Sequence, residues 1–318
     1  MHLTPTSIYL EITDLCASRC PMCYTAGHRI RGTQVPLELQ ETVQMLLAPG
    51  RELGLQGLTI SGGEPLLAPG LMETVRAALD LGYSINLLTS LFPHSPKKLE
   101  PLLSLMDSPR HQIVVSYDSL KPVEVKRVRG RGSGELVTAS IRWLVKKRAE
   151  LGSQVRLSSN TVLQPANAGS LLNTLSFLLD ELGFDQAMVQ QRHDYTKISP
   201  DVILPQPAPL RSPAEIQLLS QAARQVFSLA ETDPRLAPVC DNLEDWLRFL
   251  NNPPTIQKTC QALSHAFIDA FGNYRGCIHG VVLGSLRRTP LAEYLNSEPY
   301  LVFARFSQGC HLCTHSCS

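Results

Sequence analysis

The chain reads as an α/β protein: a partial barrel of six successive strand-and-helix units, followed by a small α+β, cysteine-rich extension. Through the first two-thirds, short β-rich runs alternate with stretches of helical periodicity, the pattern of βα units on a parallel sheet. Several helical stretches stop at a glycine, namely Gly54, Gly82, Gly152 and Gly183, as helix C-terminal chemistry favours. The last stretch holds Cys260, Cys277, Cys310, Cys313 and Cys317 in a segment with little core of its own, so something other than apolar burial must hold it together.

In order, the expected strands are Ser7 to Thr13, Gly57 to Ser61, Ser84 to Thr89, Gln112 to Tyr117, Gln154 to Val162 and Gln186 to Gln190. Helices are expected between them over Leu37 to Leu53, Leu71 to Leu81, Gly134 to Leu151 and Ser170 to Leu182. Between Arg192 and Pro213, prolines at 200, 205, 207, 209 and 213 remove donors and block regular helix, which predicts a linker or a loop over the barrel mouth. Arg192, His193, Asp194 and Tyr195 open that segment just past the sixth strand, near enough to the mouth for a substrate-contacting role. Ser212 to Ala230 follows as an amphipathic helix with Ser212 as N-cap and Pro213 at the first helical position. Near the end, AFIDAFGNYRGC reads as a hairpin turning at Gly272-Asn273 and delivering Cys277 on its second strand. The organisation is thus 1–195 barrel, 196–254 Pro-rich linker and helical segment, and 255–318 cysteine-rich unit.

At 318 residues and 43% hydrophobic, with a formal charge of +1, the chain can bury one large core plus an appendage. No charge asymmetry proposes a nucleic-acid partner. The start, MHLTPTSIYL, lacks a basic region followed by an apolar stretch, and no run of 18 residues is uninterruptedly apolar. A cytoplasmic protein with no membrane association is expected, in which nine cysteines serve iron and sulfur rather than disulfides.

The densest chemical signal is CASRCPMCY, directly after the first strand. Cys16, Cys20 and Cys23 can converge as thiolates on three irons of a cubane, leaving the fourth iron open for chemistry. Zinc usually closes a tetrahedron with four ligands, and this loop offers three, with His28 five residues on. After the second strand comes Ser61-Gly62-Gly63-Glu64-Pro65, where two glycines allow close backbone approach and a carboxylate can accept from an ammonium. Taken alone, GGEP reads as a turn.

CxxxCxxC after the first strand and GGEP after the second, in that order, resemble the radical S-adenosylmethionine (radical SAM) superfamily. The resemblance covers residues 7–195 and implies a partial (β/α)6 radical SAM barrel. It implies a 4Fe-4S cluster on Cys16, Cys20 and Cys23, whose open iron chelates S-adenosylmethionine (SAM), and reductive cleavage of SAM to a 5'-deoxyadenosyl radical that abstracts hydrogen from substrate. For SAM binding it implies Gly62, Gly63 and Glu64 at the amino group, Ser116, Asp118 and Asn160 at the ribose hydroxyls and carboxylate, and Met22 and Tyr24 flanking the adenine, with Val189 and Gln190 as further adenine candidates. An external one-electron donor such as flavodoxin or ferredoxin is implied as a partner.

The tail looks similar to the SPASM/Twitch group of extensions, in which cysteines flanking a hairpin join a later CxxC around an auxiliary 4Fe-4S cluster. A full SPASM pattern needs about seven cysteines, and five here indicate a Twitch-like unit with one cluster. Its implied ligands are Cys260, Cys277, Cys310 and Cys313, with Cys317 able to replace one of them; four thiolates suit zinc equally. Cys240 stands apart as a buried or incidental thiol. The expected activity is oxidation or cross-linking of a peptide or small metabolite, the auxiliary cluster taking an electron. A competing reading is a cofactor-biosynthesis cyclase binding a phosphorylated small molecule through Arg275, Arg287, Arg288 and Arg305. A third is an iron-sulfur carrier or scaffold, for which GGEP has no use.

Overall fold

The structure, a computed structural model, describes residues 5–23, 35–130, 134–192, 194–199, 202–206, 211–238, 243–251, 261–277 and 281–307. Six strands run in parallel in sequence order: β1 (Ser7–Thr13), β2 (Gly57–Gly62), β3 (Ser84–Thr89), β4 (Gln112–Ser116), β5 (Arg156–Leu163) and β6 (Gln186–Gln191). All six agree with the sequence pattern to within two residues at either end. The crossovers carry α1 (Leu39–Glu41) and α2 (Ala48–Glu52), joined by a π-helical stretch over Thr42–Leu47, then α3 (Leu71–Asp80), α4 (Pro96–Leu105), α5 (Pro122–Arg129), α6 (Gly134–Leu151) and α7 (Leu171–Ser176). Pro49 has no N–H to give to the preceding turn, and the helix is widened directly before it.

Side chains alternate across each strand and so sort themselves between two environments. Leu58 and Ile60, Ile85 and Leu87, Ile113 and Val115, Leu157 and Leu163 are all buried in one continuous core beneath the helices. The intervening residues line the barrel interior and are largely polar: Thr59 and Ser61, Gln112 and Ser116, Ser158 and Asn160, Gln186 and Gln190. Gln112 reaches across that face to donate to the Ser158 hydroxyl. A polar interior that opens at the strands' carboxyl ends is a ligand site by construction.

The Pro-rich segment differs from the expected linker. Its backbone forms an antiparallel ribbon of β7 (Asp194–Ser199) and β8 (Val202–Gln206), in which Pro205 lies opposite Tyr195. A two-stranded ribbon has outward edges that need no donor, so a proline is tolerated there. Next come α8 (Pro213–Ala230), β9 (Leu236–Pro238) and α9 (Leu243–Asn251). The expected N-cap on α8 is realised as a full capping box: the Ser212 hydroxyl accepts from Glu215 N–H at 3.3 Å and Glu215 accepts from Ser212 N–H at 2.9 Å.

The C-terminal extension is continuous with the barrel sheet. β10 (His265–Ile268) lies parallel to β1, with Ser7 opposite His265 and Leu10 opposite Ile268, and is followed by antiparallel β11 (Asn273–Arg275) and β12 (Val282–Ser285), then α10 (Leu291–Tyr294) and α11 (Glu298–Ser307). The predicted turn is present, with Gly272 at φ +79°. Buried Asp269 closes it by accepting from Phe271 N–H at 3.0 Å and Asn273 N–H at 2.9 Å, and it pairs with Arg275 at 3.1 Å. Behind the hairpin, Tyr274 stacks on Tyr294 at 3.8 Å, with Tyr300 edge-on. Among the described residues no helix is long and apolar enough to cross a membrane.

Candidate active site at the mouth of the barrel

The loop carrying Cys16, Cys20 and Cys23 leaves the end of β1 and is gripped by the turn after β2. Gly63 N–H donates to Thr13 O and Glu64 N–H to Leu15 O, each at 2.7 Å. A β-carbon on Gly62 would stand 2.3 Å from Thr13 O, and one on Gly63 2.2 Å from Leu15 O, so side chains at these positions would push the cysteine loop off its seat. The glycine pair therefore serves first as a close-packed joint between two loops. On the far side, Gly130 at φ +71° meets the same loop, with space for a β-carbon only 2.4 Å from Arg19 O.

Glu64 is placed differently from the expectation that its carboxylate meets an ammonium. It is 1% exposed. Its Oε1 accepts from Leu66 N–H at 3.2 Å and the Thr89 hydroxyl at 2.5 Å, and its Oε2 from Ser90 N–H at 2.8 Å and the Ser90 hydroxyl at 2.6 Å. All four acceptor positions are filled from within, and the carboxylate ties the GGEP turn to the end of β3. Burial pushes the carboxyl above the usual carboxylate range, opposed by the hydrogen bonds from Ser90 and Thr89. Lys98 of α4 braces the same turn, donating to Leu66 O at 2.7 Å and Ala68 O at 2.9 Å.

Asp118 likewise has its carboxylate engaged from within. Its side chain is fully buried, accepts from Val162 N–H at 2.7 Å and is ion-paired with Arg129 of α5. Arg129, a residue that sequence reasoning missed, borders the recess beside the cysteine loop together with Asp118, Ser18, Ser90, Phe92 and Ser116. Burial pushes the Cys20 thiol up to about 11, against the pull of Arg129 toward the thiolate and with Cys23 and Cys16 near enough to add to the rise. Burial also works against the Arg129 charge, but Asp118 and the neighbouring thiols hold it well above the usual arginine range. A spacing of eleven residues across a loop and a helix carries no periodic signal, which is why the pair was not readable.

Of the remaining candidates, Ser116 and Asn160 are brought together as register partners on β4 and β5. Asn160 Oδ1 is buried without a hydrogen-bond partner. Gln190 follows the same inward alternation on β6, and Met22 is half-buried on the cysteine loop. Val189 does not join them: it is 0% exposed within the core under the helices, because strand alternation turns it away from the face carrying Met188 and Gln190. Cys277 is half-buried after β11. Tyr24, His28, His193, Cys240, Cys260, Cys310, Cys313 and Cys317 lie outside the described residues.

No three His, Cys, Asp or Glu side chains among the described residues are gathered at metal-binding spacing. The cysteine loop nonetheless fits an iron-sulfur cluster with SAM in its donor chemistry: three half-buried thiols within electrostatic range of one another, a cation beside them, and an orphaned acceptor in the adjoining polar interior. Two arginines of the extension are closed to phosphate. Arg287 gives all five of its N–H groups to Glu41, Val35 O, Pro36 O and Phe271 O, at 2.7 to 3.3 Å, and Arg275 is buried against Asp269.

Comparison with known proteins agrees with this geometry. PqqA peptide cyclase of Rhizobium meliloti (strain 1021) is 28% identical over 207 residues, 64% of this chain and 52% of that protein. A protein named "Probable GTP 3',8-cyclase" of Methanococcus aeolicus is 26% identical over 62% of this chain and 66% of its own length. The chain thus spans about half to two-thirds of the length of these two curated relatives. Among solved structures, Streptococcus suis SuiB bound to precursor peptide SuiA shares the fold, with a TM-score of 0.70 at 15% identity, covering 96% of this chain and 67% of that one. The family model described as "Radical SAM superfamily" matches residues 10–178, more than half of the chain. With the cysteine loop, the GGEP joint and the parallel sheet in the family's order, this protein belongs to the radical SAM superfamily and is an enzyme of that class.

Proposed function

We propose that the chain is a peptide-modifying radical SAM enzyme, with Cys16, Cys20 and Cys23 holding the catalytic 4Fe-4S cluster and the barrel interior holding SAM. When bound, that pair supplies one-electron reductive cleavage of SAM to methionine and a 5'-deoxyadenosyl radical, which takes a hydrogen atom from the substrate. The observation that carries the reading is the seating of the cysteine loop on Gly62 and Gly63 with the Arg129 guanidinium beside it.

Each residue then has a task. The Gly62-Gly63 joint and Gly130 fix where the three thiols point. Glu64 and Lys98 hold the joint to β3 and α4. Asp118 holds Arg129, whose charge favours the thiolates and faces any carboxylate placed in the recess with Ser116. Asn160 Oδ1, buried and without a donor, suits an ammonium or hydroxyl hydrogen; Gln190 follows on the inward alternation of β6, and Met22 stands on the cysteine loop. A buried acceptor left unmet costs about 1–3 kcal/mol, so a donor brought there binds with advantage.

A peptide is favoured as substrate by two relatives: one carries the name PqqA peptide cyclase, and SuiB holds a precursor peptide. Cys260, Cys277, Cys310 and Cys313, with Cys317 able to replace one of them, are the proposed ligands of an auxiliary 4Fe-4S cluster that would take the electron left on the oxidised substrate. A flavodoxin or ferredoxin would supply the first electron. Arg287 and Arg275, committed elsewhere, count against the phosphate-binding alternative. Anaerobic incubation of reconstituted protein with SAM, reductant and candidate precursor peptides tests the proposal. A peptide product lacking two hydrogens is expected, and turnover of a nucleotide in place of any peptide would overturn the peptide reading.

A further inference from the structure

The outer face of α5 has no task in the mechanism. Val125 and Val128 turn into the interior, while Val123, Lys126, Arg127 and Gly130 recur at helical spacing along the opposite side. Val123 is 64% exposed, Leu120 just ahead of the helix is 37% exposed, and Lys126 and Arg127 both reach solvent. The stripe ends on the cysteine loop. A β-carbon on Gly130 would stand 2.4 Å from Arg19 O, so α5 meets that loop one residue before Cys20. Arg19 is itself exposed there and extends the row of cations.

The charges on this face are unmatched. Lys121 is held at 3.1 Å by Glu124, and Arg129 is paired with buried Asp118. Among the described residues, Arg19, Lys126 and Arg127 make no ion pair. On the neighbouring helix α6, by contrast, Lys146, Lys147 and Arg148 are met by Glu150, Glu100 and Asp185. A helix dipole favours cations in the last turn, which accounts for Lys126 and Arg127 as helix chemistry. It accounts neither for Arg19, on a separate loop, nor for Val123, an apolar side chain left in solvent. With a formal charge of only +1 on the whole chain, the positive field here is local.

We propose that the outer face of α5, together with Arg19, is the docking surface for an acidic one-electron carrier protein; this rests on the cluster proposed at Cys16, Cys20 and Cys23. An apolar contact with a cationic surround is the complement of an acidic partner, and such charges act on encounter rate and orientation more than on affinity. The position suits the step. The barrel mouth is given to SAM and substrate, so a protein donor approaches from outside the barrel, and here the surface is separated from a cluster cysteine by one residue. The carrier is oxidised by one electron and the cluster reduced by one, with no bond made or broken.

The test compares two electron sources for 5'-deoxyadenosine formation by the full, anaerobically reconstituted chain with SAM and no peptide. One is a reduced acidic bacterial flavodoxin, kept below saturation; the other is reduced methyl viologen, a small cation that needs no docking surface. In the double variant Lys126→Glu, Arg127→Glu, the flavodoxin-driven rate at low salt should fall about ten-fold, while the viologen-driven rate stays within about two-fold of wild type. Lys126→Gln with Arg127→Gln, which spares the helix terminus added negative charge, should show a smaller loss of the same kind. Raising the salt should bring wild type and variants together as the charges are screened. A matched reversal on other exposed cations, Arg76→Glu with Lys97→Glu on α3 and α4, should leave the flavodoxin rate unchanged. An unaltered flavodoxin rate in the α5 variants, an equal loss with both donors, or an equal loss in the α3 and α4 variant would overturn the docking surface while leaving the radical reading intact. Absence of 5'-deoxyadenosine from wild type with viologen would instead overturn the radical reading, and the docking surface with it.

Discussion

Replacing Glu64 with glutamine probes the joint on which the cysteine loop sits. The carboxylate serves two pairs of donors, Leu66 N–H with the Thr89 hydroxyl and Ser90 N–H with the Ser90 hydroxyl. An amide keeps one oxygen for one pair and turns an NH2 toward the other. The hydroxyl of that second pair can rotate to accept, but the backbone N–H cannot, and it is left buried without an acceptor at a cost of about 1–3 kcal/mol. Glu64→Gln should therefore destabilise the chain by about 2 kcal/mol, and Glu64→Ala, which loses all four bonds and leaves a cavity, by about 4 kcal/mol. Urea unfolding followed by circular dichroism on reduced, metal-free protein at neutral pH reads these values. The pH dependence gives a second readout. Because burial raises the folded-state pKa above the ordinary 4.5, the folded form holds its proton more tightly than the unfolded one. This group's contribution is therefore most favourable below the unfolded value and declines as pH rises from there to the folded value. Glu64→Gln should abolish that slope. A Glu64→Gln variant within about 0.5 kcal/mol of wild type, with the slope intact, would refute the assignment of Glu64 as the buried anchor of the turn.

Other perturbations test the neighbouring contacts. Gly130→Ala forces a β-carbon toward Arg19 O at a positive φ; a loss of about 1–3 kcal/mol and a reduced iron content after reconstitution are expected, and unchanged iron would disconnect α5 from the loop. Asp118→Ala leaves the largely buried Arg129 uncompensated and should cost about 3 kcal/mol or more in thermal or chemical unfolding. Arg287→Met removes the clamp between the extension and α1. Both side chains are about a third exposed, so about 1 kcal/mol is expected after screening. The Arg287 hydrogen bond holds the Glu41 carboxyl down at about 2, so the clamp's stabilisation is complete above the ordinary 4.5 and disappears as pH falls toward 2. A wild-type minus Arg287→Met stability difference that stays constant over that window would count against the clamp.

Much of this was readable from the sequence because it is local or periodic. The strands announce themselves by composition and spacing, Ser212 and Pro213 by capping chemistry, and the Gly272 turn by residue type. Cys16, Cys20 and Cys23 are marked by spacing alone. What failed to show depends on contacts between distant residues. Val189 was assigned to the site although a strand turns consecutive side chains to opposite faces, and the odd positions of β6 belong to the helix-side core. Glu64 and Asp118 were read as ligand-facing carboxylates, yet their acceptors are engaged by groups that only the fold brings near, Thr89 and Ser90 for Glu64 and Arg129 and Val162 for Asp118. Arg129 and Arg287 acquire their meaning only once Asp118 and Glu41 are brought to them. The pairing of β10 with β1 spans nearly the whole chain, and no local pattern encodes it.

The most direct test of the central claim is a paired assay of iron and of 5'-deoxyadenosine on anaerobically reconstituted wild type and on the variant with Cys16, Cys20 and Cys23 all changed to alanine. The account predicts that the variant loses about four irons per chain and all reductive SAM cleavage, while keeping the far-UV circular dichroism of the wild type. A variant that retains its iron or still forms 5'-deoxyadenosine would contradict it.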